Sequence, residues 1–143
     1  MKLNTKYHGL IEYKEEDIVV FSKGLPGFEE LRKFILLPIE QEGIFTLLHS
    51  IEDEDIGIPL ISPFNVDKDY EFTLSKEIIK SLKANSPEDI LVFTTVTINS
   101  NYENITTNLR APIVVNIKEK MGEQIILEKD DYGIKHPIFQ EEK

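Results

Sequence analysis

The run Ile90-Leu91-Val92-Phe93-Thr94-Thr95-Val96-Thr97-Ile98 decides the fold class. Ile90, Val92, Val96 and Ile98 fall on one side of an extended chain, and Thr95 and Thr97 fall on the other. β-Branched and aromatic residues crowd it, as a pleated surface prefers. Outward from this run the same period returns in Ile113, Val115 and Ile117, in Ile125 and Leu127, and in Tyr70-Glu71-Phe72-Thr73-Leu74. Further β-rich runs cover 3–13 (broken near Gly9), 18–21, 34–37, 45–51 and 58–64. Turn residues separate them: Lys23-Gly24-Leu25-Pro26-Gly27, Asn99-Ser100-Asn101 and Met121-Gly122-Glu123. The last lies between two alternating runs and reads as a hairpin turn.

One stretch departs from the strand period. Ser75 is placed to cap a short helix over about 76–83, with Ile78, Ile79 and Leu82 on one stripe and Pro87 stopping any extension. A single helical turn is expected over 28–33. Many short strands, frequent turns and one helix predict a mainly all-β fold: a small antiparallel β-barrel-like domain with one short helix.

The chain has 143 residues, the commonest domain size, and one domain over 1–143 is expected, its last few residues frayed. No internal repeat or linker divides it. There are no cysteines, which removes disulfides and thiolate chemistry and suits a reducing compartment. The first residues lack the apolar centre of a signal peptide, and no apolar run approaches a membrane span. A soluble, cytoplasmic, monomeric protein is expected.

Charge narrows the partners. Twenty-six acids against sixteen bases give a formal charge of −10, and Arg32 and Arg110 are the only arginines. Nucleic-acid binding needs clustered cations to displace counterions, so direct binding is not expected, nor is an anionic membrane surface. A basic partner protein suits the field better. The exposed candidates for such a contact are Glu52, Asp53, Glu54 and Asp55, with Asp67 and Asp69 as a second group.

Catalytic and metal patterns are missing. His8, His49 and His136 share no ligand spacing, and His49 reads as a strand histidine with a satisfied hydrogen bond. Counted from Asp53, Gly57 stands at the fifth position, where a calcium loop needs an oxygen ligand, and counted from Asp67, Phe72 and Ile78 replace its glycine and glutamate. Gly24-Leu25-Pro26-Gly27 is no phosphate loop, and no serine sits in a nucleophile elbow. Asn104-Ile105-Thr106 matches a glycosylation sequon, which has no use in the cytoplasm. No catalytic residue, metal site or cofactor is expected, although a carboxylate-based hydrolase on a small barrel remains a rival class.

Phe21-Ser22-Lys23-Gly24-Leu25-Pro26-Gly27-Phe28-Glu29 resembles the opening signature of the flagellar assembly factor FliW family. Leu48-His49-Ser50 stands where that family has Leu-Gln-Ser, and Pro63-Phe64 followed by Asp69-Tyr70-Glu71-Phe72 is similar to its next element. Asp89 begins a matching strand. Thr107-Asn108-Leu109-Arg110-Ala111-Pro112-Ile113-Val114-Val115-Asn116 resembles a further block, one residue short unless Thr106 is the matching threonine. Gly122-Glu123-Gln124 takes the place of Gly-Lys-Gln, and Tyr132 matches a late tyrosine. His49 and Glu123 depart from the pattern.

Phe21, Gly24, Pro26, Gly27, Phe28, Pro63, Phe64, Asn108, Leu109, Pro112 and Asn116 therefore carry the resemblance, and each also has an architectural reading. Gly24 and Gly27 can take positive φ around Pro26 and aim Phe28 at the core. Leu109 is a core anchor, Ala111-Pro112 an extended step, and Asn108 a bend residue bonded to backbone. The resemblance implies a non-enzymatic factor that binds the translational repressor CsrA, relieves repression of flagellin mRNA, and also binds flagellin in a partner switch. The alternative is a generic acidic interaction module, or a secretion-linked chaperone with another partner.

Overall fold

The alternating runs pair into a ring. The computed structural model describes residues 1–5, 9–38, 45–97, 105–128 and 132–138. The strands are β1 (Lys2–Thr5), β2 (Gly9–Glu12), β3 (Val19–Val20), β4 (Lys33–Pro38), β5 (Phe45–Ser50), β6 (Gly57–Ile61), β7 (Ile90–Thr97), β8 (Thr106–Thr107), β9 (Ile113–Asn116), β10 (Met121–Gln124) and β11 (His136–Pro137), with helix α1 (Lys76–Ser81) between β6 and β7. From β7 the neighbours run β6, β5, β4, β3, β10 and β9, and β9 pairs back onto β7, closing a seven-stranded barrel. Its ladders are antiparallel apart from the parallel contact of Met121 with Val20. β1 and β2 form a separate hairpin with Leu3 and Thr5 buried.

Side chains fill the interior. Val19, Phe21, Leu25, Phe34, Leu48, Leu60, Ile113 and Val115 form one buried cluster, with Leu31, Leu36, Ile58 and Phe93 packed on it. Phe21 meets Phe34 edge to face at 5.5 Å between ring centroids, a favoured aromatic geometry. Gly122 makes room for this pair, because a Cβ there would stand 2.5 Å from Cζ of Phe21.

Register assigns the faces of β7. Phe93 stands opposite Ile113 and Thr95 opposite Leu60, so the 93/95 side faces the interior. Thr94 and Val96, on the other side, are buried as well. The sheet is therefore covered on both faces. On the outward face Asn116 donates from Nδ2 to the Leu82 carbonyl at 2.7 Å, which lays the end of the α1 segment against the barrel wall. Ser75 caps α1 as expected, accepting from the Ile78 amide at 3.2 Å. Leu82 is buried at its end, whereas Ile79 is exposed and leaves the expected stripe.

Four other expectations need correction. Residues 70–74 form no strand: the Glu71 amide donates to the Tyr132 hydroxyl, which donates in turn to the Glu71 carbonyl. A side chain thus takes the role of a partner strand. The β9–β10 turn is 117–120 and not Met121-Gly122-Glu123, because Met121 already pairs with Asn116. Asn116 Oδ1 accepts from the Lys118 and Glu119 amides, and Lys120 takes φ 55°. Beyond β10, Ile125 and Leu127 keep the rung pattern through bonds to Pro112 and Arg110 carbonyls.

Residues 28–33 hold turns and not a helix. Gly24 and Gly27 do have φ 67° and 87°, yet the residue they bury is Leu25, and Phe28 stays 37% exposed. His8, Ile98, the turn Asn99-Ser100-Asn101, the sequon asparagine Asn104 and the tail 140–143 lie outside the described residues.

Gly122→Ala is expected to lower unfolding free energy by roughly 1–3 kcal/mol, the usual cost of overpacking. Adding Phe21→Leu should recover part of that loss in urea denaturation. Equal stability of Gly122→Ala and wild type would contradict the packing described.

Candidate protein-binding surface

The filled interior leaves the outside of the barrel to meet other molecules, and two features stand out there. The first is a pair of clefts on either side of the segment 70–75. One, of about 550 Å³, is lined by Phe64, Tyr70, Phe72, Leu74, Leu91 and Val92 among others. The other lies between that segment and the 125–128 stretch, and the two share Glu71 and Phe72. Among the described residues the charged ones lining them are Glu71 and Glu128, with no lysine or arginine.

Tyr70 anchors this region. Its ring lies 4.5 Å from Tyr132, 5.8 Å from Phe72 and 6.0 Å from Phe64 between centroids. Its hydroxyl donates to the Leu109 carbonyl at 2.6 Å. Burial, with Tyr132 alongside, pushes the phenol well above its usual range, so it stays protonated and keeps donating. Arg110 Nε donates to the Tyr132 carbonyl at 3.1 Å. Phe64 and Leu91 remain 48% and 41% exposed at the cleft mouth.

The second feature is acidic, and it is two features in space. Glu52, Asp53, Glu54 and Asp55 belong to the β5–β6 loop, where β6 begins, whereas Asp67 and Asp69 follow its far end. The five residues of β6 put about 17 Å between the groups, at roughly 3.3 Å per residue. Several of these acids build the turns that carry them. Glu52 Oε1 accepts from the Arg32 and Lys33 amides at 2.7 and 2.8 Å, tying the loop to β4. Those two bonds hold its carboxyl below the ordinary range. Asp53 Oδ1 accepts from the Asp55 amide, Asp67 Oδ1 from the Asp69 amide, and Ser50 Oγ from the Glu52 and Asp53 amides.

The residues of the family signature sit as follows. Phe21 and Leu109 are fully buried and Pro63 is buried, whereas Phe64 is exposed. Asn108 Oδ1 accepts from the Arg110 amide, and Gly24 packs where a Cβ would meet the Glu29 backbone at 2.6 Å. Pro26 and Phe28 line a further groove with Asn108 and Ile126. Pro112 precedes β9, and its carbonyl accepts from the Ile125 amide. Of the two departures, Glu123 pairs with Lys23 at 3.6 Å and accepts from Ser81. His49 is fully buried beside Gly57, and its Nδ1 donates to the Ser50 carbonyl at 2.8 Å. That is the strand histidine with a satisfied hydrogen bond that was expected, while its Nε2 has no partner among the described residues.

The cleft residues Glu71, Phe72, Leu74, Leu91, Glu128 and Tyr132 were not singled out as a surface. Their sequence signal was the cluster of aromatics at 64, 70 and 72, which reads equally well as core. Nothing local ties Tyr132 to Glu71, 61 positions away.

A closed, filled barrel with apolar clefts and acidic loops outside defines a small β-barrel protein. The FliW protein family model matches residues 2–138. The flagellar assembly factor FliW of Clostridium tetani is 61% identical over 142 residues, spanning 99% of this chain and 98% of its own. That of Clostridium botulinum strain Okra is 58% identical over 99% of both. A crystal structure of the flagellar assembly factor FliW superposes with a TM-score of 0.92 at 37% identity, covering 100% of both chains. The chain belongs to the FliW family of flagellar assembly factors.

Glu52→Gln is expected to lower stability at neutral pH, since an amide accepts the two backbone bonds less strongly than a carboxylate. A folded value below the ordinary 4.5 means the carboxylate stabilises above that value, and the benefit is lost as pH falls through the lower, folded one. The gap between wild type and variant in thermal melts should therefore close on acidification. A gap independent of pH would contradict this role.

Proposed function

We propose that this chain is a non-enzymatic, cytoplasmic member of its family that binds CsrA, relieves repression of flagellin mRNA, and exchanges that partner for flagellin. Family membership across nearly the whole chain carries this reading. The carboxylate-lined clefts and the net charge support it, since a basic RNA-binding repressor is a suitable electrostatic partner and RNA itself is not. The protein works as a monomer in this scheme and needs no metal or cofactor.

The CsrA contact lies on acidic surface. Glu52, Asp53 and Asp67 have local duties, so within the proposed groups Glu54, Asp55 and Asp69 are the ones to contact a partner. Flagellin and CsrA exclude each other. A partner switch needs negative coupling, which for separate sites amounts to about 1–3 kcal/mol and is reciprocal by linkage. A closed, densely packed barrel has few bistable elements to carry a remote signal, which favours overlapping sites.

Titrating unpolymerised flagellin into a complex of this chain with CsrA tests the scheme. Complete displacement is expected. A stable ternary complex with unchanged affinities contradicts it. In the same assay Glu54→Lys with Asp55→Lys should slow CsrA association at low salt and weaken its salt dependence; an unchanged association rate places the contact elsewhere.

A further inference from the structure

The first half of β7 is paired on one side only. The Ile117 amide bonds to the Asp89 carbonyl and the Asn108 amide to the Thr95 carbonyl, so the odd-numbered residues of this run aim their backbone groups at β9 and β8. Ile90, Val92, Thr94 and Val96 aim theirs the other way, towards β6. There the ladder holds only Leu60 opposite Thr95 and Ile61 opposite Thr94.

Proline accounts for the limit. Pro59, Ile61 and Pro63 are the β6-side residues in phase with β7, and the two prolines have no N–H to give. Pro63 also turns the chain into a 3₁₀ segment, its carbonyl accepting from Val66 and Asp67 amides. The Ile90 N–H closes the 3₁₀ turn Pro87–Asp89 that precedes β7, but among the described residues no strand partner reaches the C=O of Ile90 or the N–H and C=O of Val92.

Those three groups border the cleft of about 550 Å³, which Ile90 and Val92 line together with Phe64, Tyr70, Phe72 and Leu74. An open ladder edge accepts an extended backbone, and apolar walls accept alternate side chains of that strand. Among the described residues Glu71 is the one charged residue lining this cleft, and Glu128 the one other lining its neighbour. We propose that the β7 edge is a strand-addition site for an extended segment of a partner protein, apolar at alternate positions and basic opposite Glu71. It rests on the reading of the chain as a protein-binding barrel, and deepens it by naming where and in what conformation a partner docks.

The probe is a nine-residue peptide with blocked ends, alternating valine with threonine and carrying lysine at two threonine positions. Fluorescence anisotropy should show saturable binding to the full chain. Two copies N-methylated on alternate residues, one for each parity, separate backbone pairing from apolar contact. One parity should lose about tenfold or more in affinity and the other should change little. Glu71→Lys should weaken the lysine peptide about tenfold and favour a copy with glutamates in its place.

No binding, or equal binding by both methylated copies, overturns the proposal. So does self-association of the free chain that blocks the peptide, which would make the edge a contact between copies. Because the probe is neither CsrA nor flagellin, failure of the displacement assay leaves this test standing, and failure here leaves the partner switch standing.

Discussion

The β7–β9 ladder, from Ile90 opposite Asn116 to Phe93 opposite Ile113, is the constraint on which the rest of the molecule depends. It joins the last part of the ring to the middle of the chain and so turns an open sheet into a barrel. Closure removes most edges, which is how β-proteins avoid unwanted pairing. It also fixes the two faces. Phe93 and Ile113 point in together, whereas Val114 and Asn116 point out, where Asn116 receives the end of the α1 segment through Leu82. One asparagine thereby joins three pieces of backbone: the Leu82 carbonyl, the tight turn after β9, and the strand itself.

A filled interior leaves the outside of the barrel to display the polar and apolar surface. With Phe21 against Phe34 and no room for a Cβ at Gly122, the barrel is packed with side chains. The remaining chemistry is outside: acidic loops at the two ends of β6, and the clefts built round Tyr70. Buried Tyr70, bonded to Leu109 and packed at a tilt against Tyr132, anchors the aromatic wall. Exposed Phe64 and Leu91 at its mouth are the kind of unpaired apolar surface that marks a contact site. Pro59 and Pro63 flank the short β6–β7 ladder beside this wall.

Much of the fold was legible because it is written locally. Alternation over 90–97 found β7, and Ser75 three residues before Ile78 found the helix cap. The misreadings share one physical origin, which is that periodicity reports extended chain and not its partner. Tyr70 to Leu74 alternates like a strand, but the bonds that satisfy Glu71 come from a tyrosine side chain far along the sequence. Gly122 looked like a turn glycine and is a packing glycine, while a lysine, Lys120, holds the left-handed turn position. The acidic residues were found as exposed charge, yet sequence did not separate those that build turns from those left free. The β7 edge was out of reach, since it follows from the phase of two prolines against a strand some thirty residues on.

The central claim is that one side of β7 closes the barrel while the other stays open at Ile90 and Val92. Amide hydrogen exchange of the free chain, read residue by residue, tests it most directly, because protection follows the hydrogen-bond partner of each amide. The Leu91 and Phe93 amides, which face β9, should be among the slowest to exchange, with Val92 between them faster by about tenfold or more. Uniform protection of all three would mean that β7 is paired on both sides, and would contradict the account.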